Sequence, residues 1–237
     1  MFINWTVTER LDPNSLQASA DGTSTHGIPA PSYGNYGGWN FSAGVEGGTP
    51  PEGPNPTPAP VDALDTLFWQ KDLVYQHVQD GVVAPQDIPT VIAQADVTLV
   101  EGMYALTNTT NLDPEALLYD AFATIGMVGK ILTTPSELTY LEAHPIDAGI
   151  VITAAQAAIP NFQLGLTETR GEARSLNGAF HVFEAHFAQQ FAQAIASFGA
   201  PGAVESLNTK SLAADTSQQS WLAVPEHAPW HALAGGP

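Results

Sequence analysis

The stretch that decides the predicted fold is Val61-Asp62-Ala63-Leu64-Asp65-Thr66-Leu67-Phe68-Trp69-Gln70-Lys71-Asp72-Leu73-Val74-Tyr75. Leu64, Phe68 and Tyr75 recur in it at the spacing of one helical face, which predicts a helix over residues 61–79. Lys71 falls within this apolar stripe rather than on the side that faces water. Asp65 and Asp72 are two helical turns apart, so their carboxylates lie on a common side of the helix.

A glycine-rich turn precedes this helix and reads Tyr33-Gly34-Asn35-Tyr36-Gly37-Gly38-Trp39-Asn40. Because glycine adopts backbone angles that are closed to other residues, such a turn can point its carbonyl oxygens inward. A hard cation such as calcium prefers oxygen ligands from carbonyl and carboxylate groups. The turn, together with the carboxylate of Asp72, therefore predicts a calcium site.

The turn and the helix together resemble the secreted phospholipase A2 superfamily. That family has a Tyr-Gly-x-Tyr-x-Gly calcium loop, followed by a helix with the pattern Asp-x-x-x-x-x-His-Asp-x-x-Tyr. This chain matches the helix pattern from Asp65 through Asp72 to Tyr75, except that Lys71 stands where the family has its catalytic histidine. The chain also has no cysteine, whereas animal members of the family are rich in disulfides.

A second element of the family lies further along the chain. The other long helix of the family has the pattern Asp-x-Ala-Ala, and its aspartate orients the catalytic histidine. Asp120-Ala121-Phe122-Ala123 resembles that element, so the resemblance covers roughly residues 33 to 130. It implies two antiparallel helices that bring Asp120 to the side chain at position 71, and a hydrogen bond from Tyr75 to Asp120.

The resemblance also implies an activity and a ligand set. In the family, the histidine takes a proton from water, which attacks an ester carbonyl, while calcium stabilises the developing negative charge. Carried over by position, the ion would be bound by the carbonyl oxygens of Tyr36, Gly38 and Asn40 and by the carboxylate of Asp72. Asn40 replaces the usual glycine. The implied function is calcium-dependent hydrolysis of a glycerophospholipid or another lipid ester.

Lys71 complicates this assignment. Lysine has a reference pKa of about 10.4 and is therefore an ammonium at neutral pH, with no lone pair to accept a proton. Burial would lower that pKa, but a nearby Asp120 would raise it again, and a Lys71–Asp120 ion pair would preserve the geometry without a base. Three interpretations stay open: an impaired or inactive lipid-ester hydrolase, a phospholipid-binding protein, and an enzyme that uses Lys71 as a reactive amine.

Composition narrows the possible partners. The chain has 24 acidic and 6 basic residues, a formal net charge of −18, which argues against a nucleic-acid partner and leaves at most transient contact with a membrane surface. The absence of cysteine excludes disulfides and thiolate metal sites. No basic segment followed by an apolar run is visible in residues 1–14, and no long apolar run suggests a membrane span. We expect secretion by a route without such a signal, or else a cytoplasmic location.

The whole chain is predicted to be all-α, with four parts: an irregular N-terminal arm (1–32), a phospholipase A2-like core (33–132), a helical extension packed on the core (133–200) and a C-terminal tail (201–237). Prolines, caps and apolar periodicity predict further helices at about 87–105, 114–132, 135–143, 147–159 and 166–198. In the last of these, His181, Glu184 and His186 do not have the spacing of a zinc-binding helix. The oligomeric state stays open.

Overall fold

The computed structural model describes residues 3–4, 10–11, 28–29, 31–38 and 41–172 of the 237-residue chain, and in these residues the protein is predominantly helical. The five helices of this part are α1 (Ala63–Gln79), α2 (Ile88–Thr109), α3 (Pro114–Thr133), α4 (Pro135–Ala143) and α5 (Pro145–Glu172). Six two-residue strands form three antiparallel pairs: β1 (Ile3–Asn4) with β4 (Ser32–Tyr33), β2 (Arg10–Leu11) with β3 (Ile28–Pro29), and β5 (Phe41–Ser42) with β6 (Val45–Glu46). The predicted all-α class is confirmed at this level.

Helices α1 and α3 begin at an aspartate that caps the helix, whereas Asp87 at the start of α2 makes no capping hydrogen bond. The Asp62 carboxylate accepts a 2.8 Å hydrogen bond from the backbone N–H of Asp65 at the start of α1. Asp113 accepts from the N–H of Ala116 in the same way, and Pro114 occupies the first turn of α3. Such caps satisfy N–H groups that have no partner inside the helix. Proline is tolerated in the first turn because an N–H group at that position would have no partner in the helix.

The last helix differs from the prediction of two separate segments at 147–159 and 166–198. α5 runs without a break from Pro145 to Glu172, with Pro160 inside it. The Pro160 ring lies on the exposed side of the helix, where water can replace the missing hydrogen bond. The opposite side packs on α3 so closely that a Cβ added to Gly165 would lie 2.8 Å from the backbone of Leu118. The free energy gained by burying this side of α5 along its whole length exceeds the cost of the hydrogen bond that Pro160 removes. Residues 173–198 of the predicted segment, with His181, Glu184 and His186, lie outside the described residues.

The core lies among α1, α2, α3 and α5. Its most deeply buried large side chains are Tyr33, Tyr36, Leu64, Met103, Leu118, Ile125, Ile131 and Phe162. The two tyrosines belong to the glycine-rich turn, so that turn is anchored in the core rather than lying on the surface. Ile3 of the N-terminal arm is also buried and pairs with Tyr33.

One stretch of the described residues, Pro145–Thr169 in α5, is long and apolar enough to cross a membrane, with a mean hydropathy of 1.2. The bent pair α3 and α4 passes the same test only if it is counted as one broken span. Core helices of other proteins pass this test too, and α5 packs along α3. The described part of the chain therefore has no clear transmembrane segment.

Candidate functional site

Asp65 holds the glycine-rich turn against α1. Its side chain is fully buried, and its carboxylate accepts hydrogen bonds from the backbone N–H groups of Asn35 (2.9 Å), Tyr36 (2.8 Å) and Val61 (2.9 Å). Burial raises the pKa of Asp65, although these three N–H donors partly offset the effect. Because N–H groups of the turn donate to Asp65, the conformation of the turn depends on this one carboxylate, which lies in the first turn of α1.

Gly34 is required by this arrangement. Its φ angle is +56°, in the left-handed region that favours glycine, and an added Cβ would lie 2.4 Å from the carboxyl carbon of Asp65. The turn is closed further by two backbone hydrogen bonds between Tyr33 and Gly37. The hydroxyls of Tyr33 and Tyr36 donate to the Asp62 carboxylate and to a backbone carbonyl oxygen, each at 2.5 Å. The turn is therefore a fixed structure.

Asp72, two turns of helix beyond Asp65, is a largely buried acid in contact with Lys71. Its side chain is 14% exposed, and its Oδ1 atom lies 3.7 Å from the Nζ atom of Lys71. Its Oδ2 atom is buried and has no hydrogen-bond partner among the described residues. Burial raises the pKa of Asp72 to about 7, and Lys71 and Ser42 only partly offset this. A buried carboxylate oxygen without a donor is costly unless an ion, a water or a ligand satisfies it.

The predicted calcium ligands divide into two groups. Tyr36 and Gly38 line the same cavity as Asp72, so the structure brings these three residues together. Asn40 lies outside the described residues. Within the described part of the chain, no group of three or more His, Asp or Glu side chains is placed to hold a metal ion. Among the described residues that line this cavity, Asp72 is the single acid.

Lys71 is buried, as the apolar stripe predicts, with 7% of its surface exposed. Its ammonium group lies 4.4 Å from the centroid of the Tyr75 ring, on the face of that ring, and also contacts Asp72. A cation is attracted both by the electron-rich face of a tyrosine and by a carboxylate. Lys71 is therefore held between an acid and an aromatic ring.

The predicted role of Asp120 is wrong. The Tyr75 hydroxyl donates to both oxygens of Asp96, at 2.9 and 2.8 Å, and not to Asp120. Asp120 instead accepts a hydrogen bond from the Thr107 hydroxyl, and the ion pair of Lys71 that the structure shows is with Asp72. The reason is the packing order: the face of α1 that carries Tyr75 meets α2, which places Asp96 beside it. Asp120, on α3, faces the C-terminal end of α2.

Asp96 is the residue that sequence reasoning missed. It is fully buried, and besides Tyr75 it binds the Nζ atom of Lys130 at 2.5 Å; the same ammonium donates to Glu137. The signal was available, because Asp96 lies on the buried face of α2 among Ile92, Ala93, Val97 and Val100. An acid in the middle of an apolar stripe is expensive unless it has a partner.

This buried network joins four helices. Burial alone would lower the pKa of Lys130, but Asp96 and Glu137 more than compensate and raise it. Burial raises the pKa of Glu137 to about 7, with a further contribution from Asp96 and opposition from Lys130. Lys130 therefore stays charged between two carboxyl groups. Asp96 is held both by Lys130 and by the tyrosine whose ring contacts Lys71.

An apolar cavity opens beside Lys71 and Asp72, which we call the α1–α3 cleft. Its volume is about 80 Å³. Its apolar walls are formed by Pro31, Phe68, Leu99, Tyr119, Phe122, Ala123 and Met127, and Lys71, Asp72 and Lys130 also line it. The Tyr119 ring packs edge-on against Phe68 and Phe122, with centroids 5.6 and 5.8 Å apart. An alkyl chain in this cleft would lie close to Asp72.

Comparison of the chain with protein-family models, with curated proteins and with solved structures gives no match.

Proposed function

We propose that this chain is a calcium-dependent, phospholipase A2-like protein that binds a glycerophospholipid or another lipid ester, with part of one acyl chain in the α1–α3 cleft. Hydrolysis is weak or absent, because Lys71 stands where a base is needed. The observation that supports this most is that one cleft is lined by apolar walls, by the acid Asp72, and by two residues of the glycine-rich turn, Tyr36 and Gly38. Apolar pockets with a few convergent polar groups are typical ligand sites.

A calcium ion is part of this proposed site. The carboxylate of Asp72 and the carbonyl oxygens of Tyr36, Gly38 and Asn40 would hold it. When bound, calcium supplies positive charge next to the ester oxygen that becomes negative during attack. Asp65 contributes indirectly by fixing the turn, and the aromatic walls exclude water and bind the acyl chain. A site that needs calcium suits a calcium-rich compartment, so the proposal includes an extracellular location.

Lys71 affects this site in two ways. As an ammonium it cannot take a proton from water, because it has no lone pair. It also lies 3.7 Å from the carboxylate that calcium would use, so it competes electrostatically with the ion. Asp96, and not Asp120, is the acid that accepts the hydrogen bond from the Tyr75 hydroxyl.

The test is fatty-acid release from phosphatidylcholine vesicles, with calcium and with a chelator. We expect the natural chain to release little, and K71H to release more, only when calcium is present. K71M is the matched control, because it removes the ammonium without adding a base. Equal release by K71H and K71M, or release by K71H that a chelator does not reduce, would contradict the proposal.

A phospholipid-binding protein without turnover is the second candidate, and the Lys71–Asp72 contact favours it. It predicts calcium-dependent binding to vesicles, no product, and a K71H variant that remains inactive. Sedimentation of the protein with vesicles, measured beside the release assay, separates the two candidates. D72N should abolish binding in either case.

The reactive-amine interpretation is weaker, because Lys71 contacts an acid, Asp72, whereas reactive lysines typically lie in uncharged apolar pockets or beside another cation. It predicts that borohydride traps a carbonyl compound covalently on Lys71. Mass spectrometry of the treated protein, with K71M as control, decides this point.

A further inference from the structure

A second depression lies on the other side of Lys71, between α1 and α2, and we call it the α1–α2 groove. Its volume is about 270 Å³, larger than that of the α1–α3 cleft. Its apolar walls are formed by Leu67 and Val74 of α1 and by Val91 and Ala95 of α2. Lys71 and Leu99 line both depressions and so form part of the wall between them.

The polar side chains that line this groove can all donate hydrogen bonds to an anion. The chain has 24 acidic residues and 6 basic ones, yet the described residues that line the groove include a lysine and no acid. Gln70, Gln94 and Thr98 complete its lining. Amide, hydroxyl and ammonium groups can each donate hydrogen bonds to a carboxylate. In a protein of net charge −18, such a place is electrostatically distinct from its surroundings.

We propose that the α1–α2 groove binds a fatty-acid anion. The carboxylate is held by the Lys71 ammonium together with the amides of Gln70 and Gln94 and the Thr98 hydroxyl. The alkyl chain lies along the apolar walls.

Two physical arguments support this ligand. An ammonium group has three donors, so Lys71 can serve Asp72 and a ligand carboxylate together, and charge-assisted hydrogen bonds of this kind are among the strong ones. The volume lies just below the range of about 300–1,000 Å³ that is typical of pockets for larger ligands, which favours a single short alkyl chain over a diacyl lipid. Binding of a fatty acid in this groove does not require that the protein hydrolyse an ester. A lipid-ester hydrolase would release this class of compound, but so would other sources.

The first arm of the test measures the role of charge. Decanoate labelled with ¹³C at the carboxyl carbon is titrated with the purified full chain below its micelle concentration, and decanol is the neutral control. We expect saturable decanoate binding that K71M weakens about tenfold, as expected for loss of a hydrogen bond to a charged group. Decanol binding should change less than twofold. Absence of decanoate binding, or the same loss for both compounds, would overturn the proposal.

The second arm measures location, because Lys71 lines both depressions. Ala95 lines the α1–α2 groove and Ala123 lines the α1–α3 cleft, so A95F and A123F fill one depression each. We expect A95F to remove decanoate binding and A123F to retain it; the reverse result refutes the proposal. Circular dichroism confirms that each variant is folded. This pair also decides the question if K71M fails to fold. Loss of calcium-dependent vesicle binding would contradict the proposed function but would leave these two results unaffected.

Discussion

Replacement of Asp120 by asparagine should stabilise the protein at alkaline pH and have little effect in acid. Asp120 is 3% exposed, receives one hydrogen bond from Thr107, and has a second carboxylate oxygen without a partner. Burial raises its pKa from 3.8 to about 7, with only Thr107 opposing. In the unfolded chain the same group would have its ordinary pKa.

The direction of the effect follows from proton binding. Between pH 4 and pH 7 the folded state holds a proton on Asp120 that the unfolded state has released, so this residue makes stability fall as pH rises through that window. Above pH 7 the folded protein contains a buried carboxylate. The pKa of Asp120 differs by about 3 units between the unfolded chain (3.8) and the folded protein (about 7). At about 1.4 kcal/mol per pKa unit, ionised Asp120 lowers the free energy of unfolding by about 4 kcal/mol at pH 8. Asparagine avoids this cost and can still accept from Thr107.

The measurement is urea unfolding of the natural chain and of D120N at pH 3, 5.5 and 8. We expect the free energies of unfolding to agree within about 1 kcal/mol at pH 3 and D120N to exceed the natural chain by up to about 4 kcal/mol at pH 8. D87N is the matched control, since Asp87 is exposed and makes no capping hydrogen bond. A difference between D120N and the natural chain that is the same at all three pH values would refute the reasoning.

Three further predictions concern the turn, the buried network and the coupling of the two proposed sites. G34A should destabilise the protein by about 2 kcal/mol or more in thermal melts, because its Cβ would clash with Asp65 and residue 34 has a positive φ angle. G149A is the control: a Cβ at this helical position has nothing within 4 Å, so it should stabilise the protein by up to about 1 kcal/mol. K130M should cost about 3–5 kcal/mol in urea unfolding, because it leaves Asp96 as an unpaired buried charge, while E137Q, which keeps that pair, should cost about 1 kcal/mol. Calcium and decanoate should each tighten the binding of the other by the same factor, since calcium would replace Lys71 as the counter-ion of Asp72. Calorimetric titration of each ligand with and without the other measures that factor, and a factor of 1 would exclude the coupling.

Much of the helical structure could be predicted from local sequence. The start of α3 follows from Asp113 and Pro114, and the range predicted for α4 agrees with the structure. These signals act within one turn of helix and do not depend on the rest of the chain. Pro160 is the exception, because α3 buries the opposite side of α5 and makes an unbroken helix more favourable than the local break.

The sequence by itself determined which side chains share α1: Asp65, Lys71, Asp72 and Tyr75 lie as the helical repeat requires, with Lys71 buried. It did not determine their partners on other helices. Asp96 and Asp120 are both acids on buried faces, and only packing decided that Asp96 meets Tyr75 while Asp120 meets Thr107. The periodicity of one helix sets which residues share its face. The helix that covers that face is chosen by the free energy of packing the whole core, to which residues far apart in the chain contribute together.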